Sequence, residues 1–182
     1  MPAAADYPEM MSGQAQDQLD LAKLALLPGQ ARSLPVALDL TPFAIGGQSY
    51  APAERPVEGV LDVSKTLSGH ALRLRFAVTV EGPCARCLEP TRIEVSIDSR
   101  EVDQHDEPDD ELTSPYVEAE ILQVGHWASD ALVLATPDVP VCSEDCGGLC
   151  AECGKRLVEG EEHGHGRKGD PRLSKLGEIR LD

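Results

Sequence analysis

Residues 71–81 read ALRLRFAVTVE, residues 82–90 read GPCARCLEP and residues 91–98 read TRIEVSID. In the first segment Leu72, Leu74, Phe76, Val78 and Val80 take alternate positions, opposed by Arg73, Arg75, Thr79 and Glu81. In the third, Ile93, Val95 and Ile97 alternate with Arg92, Glu94 and Asp98. A period of two puts the apolar set on one face of a pleated strand and the polar set on the other. Two such strands around a short Gly- and Pro-bounded interruption pair antiparallel, so Cys84 and Cys87 are expected in the turn of a β-hairpin.

The same period recurs on either side. Leu34, Val36, Leu38 and Leu40 alternate, and Leu61 and Val63 follow after a Gly/Pro-rich gap. A further short strand is predicted over 117–121 and a short helix over 127–135, closed by Pro137. Asp170-Pro171 supplies an N-cap and first-turn proline for a final helix carrying Leu173 and Leu176. Residues 1–30 form an acidic lead of disordered composition whose one apolar patch, Leu24, Leu26 and Leu27, stops at Pro28-Gly29. Residues 101–111, EVDQHDEPDDE, are expected to be a solvated acidic loop. The fold class expected is α+β: a mainly antiparallel β-sheet core, few short helices and a C-terminal Cys-rich zinc-binding segment.

The chain of 182 residues carries 32 acidic and 16 basic side chains, a formal net charge of -16 that argues against wholesale phosphate binding. The excess is local. Residues 101–145 contain no Lys or Arg, whereas 146–182 are balanced and hold the one basic stretch, the tail 163–182 with Arg167, Lys168, Arg172, Lys175 and Arg180. No stretch approaches the roughly 18 apolar residues of a membrane span, and the first ten residues, MPAAADYPEM, lack the basic and apolar regions of a secretory signal. A cytoplasmic location is expected. In a reducing compartment six cysteines point to metal ligation or thiol chemistry before disulfides.

Four of those cysteines lie in the Cys-rich segment 142–154: Cys142, Cys146, Cys150 and Cys153, interrupted by Gly147-Gly148 and followed by Gly154. Thiolates must converge at about 2.3 Å on a tetrahedral ion, and glycines let backbone amides approach the sulfurs. Two arrangements are open. Either these four form one closed site, or Cys84 and Cys87 join two of them across the fold. Zinc is the expected ion, one per chain. The pair Cys84/Cys87 sits between strands instead of opening a helix, which argues against redox catalysis. His163 and His165, separated by a glycine and beside Glu161-Glu162, read as an exposed loop before they read as ligands. Arg86, Arg167, Lys168, Arg172 and Lys175 are the candidate RNA or partner contacts, with Arg73, Arg75 and Arg92 near the strand turn. No Ser/His/Asp set or phosphate-cradling glycine loop is present, so no catalytic residue is assigned.

The segments CARCLEP (84–90), LATP (134–137) leading into Val141-Cys142, CGGLCAECG (146–154) and DPRL (170–173) resemble the YceD family, the large ribosomal RNA subunit accumulation proteins. The resemblance runs over about residues 34–180 and implies a single YceD-like domain from residue 31 to 182. It implies a non-enzymatic accessory factor of large-subunit ribosome biogenesis, supporting accumulation or processing of large-subunit ribosomal RNA. Some members keep the first cysteine pair and lack the second cluster, which favours the closed set of four; Gly147 departs from the Lys-like residue usual at its position. The expected partner is a cationic large-subunit ribosomal protein or a ribosomal RNA precursor particle, with direct RNA contact weak. A zinc-ribbon-like nucleic-acid-binding or transcription module is the alternative, and a thiol-redox enzyme the third reading.

Overall fold

The computed structural model describes residues 17–104, 112–158 and 163–165. Nine strands and one α-helix follow in chain order: β1 Leu19–Asp20, β2 Ala31–Leu38, β3 Phe43–Ile45, β4 Gln48–Pro52, β5 Val57–Lys65, β6 Gly69–Pro83, β7 Pro90–Gln104, β8 Val117–Glu118, β9 Ile121–Leu122 and α1 Val124–Ala135. The chain is mainly antiparallel β-sheet. With one α-helix and the short 3-10 turn Ala22–Leu24, the helical half of the expected α+β class is minimal among the described residues.

The spine is the β6–β7 hairpin, paired without interruption from Gly69↔Gln104 to Pro83↔Pro90. On the other edge of β6, β5 pairs along residues 70–76 and β4 takes over at Val80 and Glu81; β2 extends β5 outward and β3 extends β4. Leu72, Leu74, Phe76, Val78 and Val80 are all buried, as the alternation predicts, with Leu38, Leu61, Val63, Val95 and Ile97 against them. The opposite face carries cross-strand ion pairs: Arg73 to Asp98 at 2.6 Å, Arg75 to Asp62 at 2.8 Å and Arg92 to Glu81 at 2.6 Å. Arg73 and its neighbours hold Asp98 below the usual carboxylate range. Helix α1 lies against β7, where the Trp127 indole N–H donates to the Ser99 hydroxyl at 2.9 Å.

Several boundaries differ from expectation. The Gly/Pro-rich gap before Leu61 contains the β3–β4 hairpin, turned at Gly46 and Gly47 with φ of 58° and 81°. The strand expected over 117–121 is two short strands, because Ala119 and Glu120 adopt φ of 48° and 65° and fold the chain back. Of the expected acidic loop, Glu101–Gln104 instead complete β7, where Asp103 is buried and accepts the Ser114 N–H at 3.2 Å. Within residues 1–30, read as a lead, β1 pairs with β9 and Leu21 and Leu24 are in the core, while residues 1–16 lie outside the described residues. Residues 105–111, most of the tail 163–182 and the expected helix after Asp170-Pro171 lie outside the described residues.

The strand end nearest the cysteines is keyed to the core by one glycine. The Tyr50 ring lies across Gly82, so that a Cβ there would stand 2.2 Å from Tyr50 Cδ1, and the Tyr50 hydroxyl donates to the Pro83 carbonyl at 2.9 Å. Gly82→Ala must displace this buried ring. A loss of about 1–3 kcal/mol is expected from overpacking, read as a lower denaturant midpoint in urea; an unchanged midpoint would show that the ring does not anchor the strand end.

Candidate metal centre

Pro83 and Pro90 bracket a turn that folds back on itself. The Cys84 N–H donates to the Glu89 carbonyl at 2.7 Å, the Leu88 N–H to the Cys84 carbonyl at 2.9 Å, and the Arg86 N–H to the Cys84 sulfur at 3.4 Å. Leu88 closes the turn with φ of 62°, an unfavourable conformation for a side-chain-bearing residue. The segment from Pro140 to Gly148 then packs over this turn. The Ala85 N–H donates to the Pro140 carbonyl at 2.7 Å and the Cys142 N–H to the Cys84 sulfur at 3.4 Å. Arg86 reaches across and donates through Nη1 to the carbonyls of Glu144 at 3.0 Å and Cys146 at 3.1 Å.

The result is a convergence of four sulfurs, those of Cys84, Cys87, Cys142 and Cys146, all within 4.8 Å of one another. Cys84 and Cys146 are 3.8 Å apart and Cys87 and Cys142 3.7 Å. A disulfide would need about 2.05 Å. A tetrahedron with metal–sulfur bonds of about 2.3 Å has edges of about 3.8 Å, so the spacing fits a single tetrahedral ion. Burial raises the Cys84 thiol, but the N–H groups of Cys87, Arg86 and Cys142 outweigh it and bring it down to about 6. Cys87 goes the other way: the Glu89 N–H lowers it, while burial and the sulfurs of Cys84, Cys146 and Cys142 push it up to about 12. Four sulfurs at this spacing cannot all ionise without a cation among them.

Cys150 and Cys153 are not part of this group. Their sulfurs lie with the imidazoles of His163 and His165, again with all four ligand atoms within 4.8 Å. The closed set Cys142, Cys146, Cys150 and Cys153 is therefore not what the fold assembles; the alternative, with Cys84 and Cys87, is the grouping found. The physical reason lies in the loop between the halves. Gly148 has φ of 75°, its Cβ position is 3.2 Å from the Arg86 carbonyl, and the Leu157 N–H bonds its carbonyl at 2.8 Å. These contacts seat Cys146 on the hairpin turn, and Cys150 begins a separate turn. His163 and His165, read as a bare loop, are drawn in as neighbours of that second pair. A short CxxC–Gly followed by a Gly-spaced His pair is the signal that could have found them.

The candidate contacts also sort out. Arg73, Arg75 and Arg92 are each engaged by a carboxylate on the same sheet face, and Arg86 braces the thiol group while its residue stays exposed. Arg167, Lys168, Arg172 and Lys175 lie outside the described residues. No helix among the described residues is long and apolar enough to cross a membrane.

Fold and site together define a class: an antiparallel β-sheet protein whose hairpin turn and C-terminal segment build two cysteine-containing clusters, each able to hold a metal ion. Within that class the chain belongs to the YceD family, whose sequence profile, described as large ribosomal RNA subunit accumulation protein YceD, matches residues 72–180. It is similar to proteins of Mycobacterium bovis and Mycobacterium tuberculosis, both described as uncharacterized. Each is 31% identical over 172 residues, covering 88% of this chain and 80% of the relative. A third, from Mycobacterium leprae, is 46% identical over 50 residues, 28% of this chain and 23% of its own length. No solved structure matches.

The second pair offers a direct check of its electrostatics. The N–H groups of Cys153 and Glu152 bring the Cys150 thiol down to about 6; burial works against them and His163 adds to them. In metal-free protein the rate of Cys150 alkylation should therefore rise with a midpoint near pH 6, below the ordinary thiol value of about 8.5. Site-resolved mass spectrometry across pH 4.5–9.5 measures it. A midpoint above pH 8 would show that the turn does not stabilise the thiolate.

Proposed function

We propose that this chain is a non-enzymatic accessory factor of large ribosomal subunit biogenesis, acting in the cytoplasm to support accumulation or processing of large-subunit ribosomal RNA. Its buried thiol group, in this reading, holds a structural zinc ion. Family membership supports the first statement. The second rests chiefly on one observation: four sulfurs, spaced as a tetrahedron of about 2.3 Å bonds requires, brought together from a hairpin turn and a segment more than fifty residues away. When bound, the ion would supply charge compensation for the thiolates and folding energy for the C-terminal segment. Cys84, Cys87, Cys142 and Cys146 would hold it, and Arg86 keeps Cys146 in place.

Charge supports action through protein partners more than direct coating of RNA. The net charge is -16, and the arginines of the outer sheet face already have carboxylate partners. A cationic large-subunit ribosomal protein, or a precursor particle displaying one, suits such a surface. RNA contact falls to Arg86 and to Arg167, Lys168, Arg172 and Lys175 of the tail, and is weak. A redox enzyme is disfavoured because Cys84 is fully buried and Cys87 nearly so, closed off from any substrate disulfide. The zinc-ribbon-like alternative draws on the paired cysteine turns, and predicts a steep salt dependence of RNA affinity that the present reading does not.

Depleting the chain should lower the ratio of large- to small-subunit ribosomal RNA, with the wild-type gene restoring it and Cys84→Ser failing to. Pull-down with and without ribonuclease then separates the partners: large-subunit proteins should be retained after treatment. A normal RNA ratio in depleted cells would overturn the assignment, and nanomolar binding of naked RNA at physiological salt would favour the alternative.

A further inference from the structure

The turn at Cys150 repeats the turn at Cys84 bond for bond. The Cys150 N–H donates to the Lys155 carbonyl at 2.8 Å, as Cys84 does to Glu89 at 2.7 Å. The Gly154 N–H donates to the Cys150 carbonyl at 2.8 Å, as Leu88 does to Cys84 at 2.9 Å. The Glu152 N–H points at the Cys150 sulfur at 3.4 Å, matching Arg86 at Cys84, also 3.4 Å. Gly154, with φ of 70°, stands where the first turn has Leu88 at 62°. Such a turn aims amides at a sulfur and leaves both sulfurs of the pair facing the same way, which is what a pair of thiolate ligands needs.

What faces this second pair is two imidazoles instead of two sulfurs. His165 Nε2 lies 3.1 Å from the Cys150 sulfur, His163 Nε2 3.4 Å from the Cys153 sulfur, and the two Nε2 atoms 2.9 Å from each other. A single ion with two sulfur and two nitrogen ligands has nitrogen–nitrogen and nitrogen–sulfur edges of about 3.3–3.6 Å, so these atoms need to part by only about 0.2–0.5 Å to admit one ion. The other ring nitrogen of His165, Nδ1, stands 3.5 Å from the carboxylate of Glu152, a residue of the same turn and of the type that usually orients a metal-bound imidazole.

We propose that Cys150, Cys153, His163 and His165 form a second, separate zinc site, of two sulfur and two nitrogen ligands. It stands independently of the buried centre, sharing no ligand with it. Its exposure sets it apart in behaviour. Cys153, His163 and His165 are exposed and Cys150 half-buried, whereas three ligands of the first group are buried, so this ion exchanges with solution while the first stays. Occupation fixes His165, which lies two residues ahead of Arg167 in the sequence.

Cobalt titration into full-length metal-free protein tests this, because a site of four sulfurs and one of two sulfurs and two nitrogens give different visible spectra. Two equivalents should bind to the wild type, in two spectrally distinct steps. His163→Ala/His165→Ala should bind one equivalent with the four-sulfur spectrum only. Cys84→Ser should keep the mixed-ligand spectrum, which separates failure of this site from failure of the buried one. With zinc, a chromogenic chelator should remove one of two equivalents at least tenfold faster, and the double His variant should lack that fast phase. A wild type that shows only the four-sulfur spectrum, an unchanged spectrum in the double His variant, or loss of both sites in Cys84→Ser would overturn the proposal.

Discussion

Four sulfurs within 4.8 Å of one another, two pairs of them only 3.7–3.8 Å apart, make an unstable arrangement by themselves in a largely buried site. As thiols they pack as small hydrophobes with poorly used hydrogen bonds; as thiolates they repel. The opposite displacements of Cys84, down to about 6, and Cys87, up to about 12, express that conflict: one sulfur takes the amides and the charge, and Cys87 beside it keeps its proton. A divalent cation removes the conflict. The convergence also ties Cys142 and Cys146 to the hairpin turn, where few apolar contacts would otherwise hold them. Val141 and Cys142 are the partly buried hydrophobics that pack on the thiol cluster.

The sheet prepares one half of the centre in advance. The uninterrupted pairing of β6 with β7 carries the hairpin well beyond the core and ends it in the Cys84–Cys87 turn, while Tyr50 locks the last residues of β6 through Gly82 and Pro83. The second half arrives as loop, without regular structure to position it. Arg86 compensates by tying two carbonyls of that loop to the first turn. An arginine that reads in sequence as a surface charge between two cysteines is thus a brace whose Nη1 alone bridges the two halves.

Sequence alone discloses the spine because Leu72 to Val80 and Ile93 to Ile97 obey a clean period of two on a half-buried sheet. It fails where inward positions turn polar. Ser99, Glu101 and Asp103 continue the inward face of β7 but are satisfied by Trp127 and Ser114, and contacts from distant residues leave no local pattern. The β3–β4 hairpin is too short for a period to register, although Gly46-Gly47 marks its turn. At the cysteines, spacing identifies the ligand types and the two turns, but partnership is a matter of topology. Four cysteines within twelve residues look like one site; the chain instead divides them, because Gly147 and Gly148 let the loop pass close to Leu157 and Arg86 between the second cysteine and the third.

The central claim is that the ion's ligands come from two distant turns, Cys84 and Cys87 with Cys142 and Cys146. Cadmium-113 substitution read by proton–cadmium correlation spectroscopy tests it directly, since scalar coupling passes only through metal–ligand bonds. The account predicts a four-sulfur cadmium resonance correlated with the β-protons of those four cysteines together. A resonance joining Cys142 and Cys146 to Cys150 and Cys153, with no correlation to Cys84 or Cys87, would contradict it.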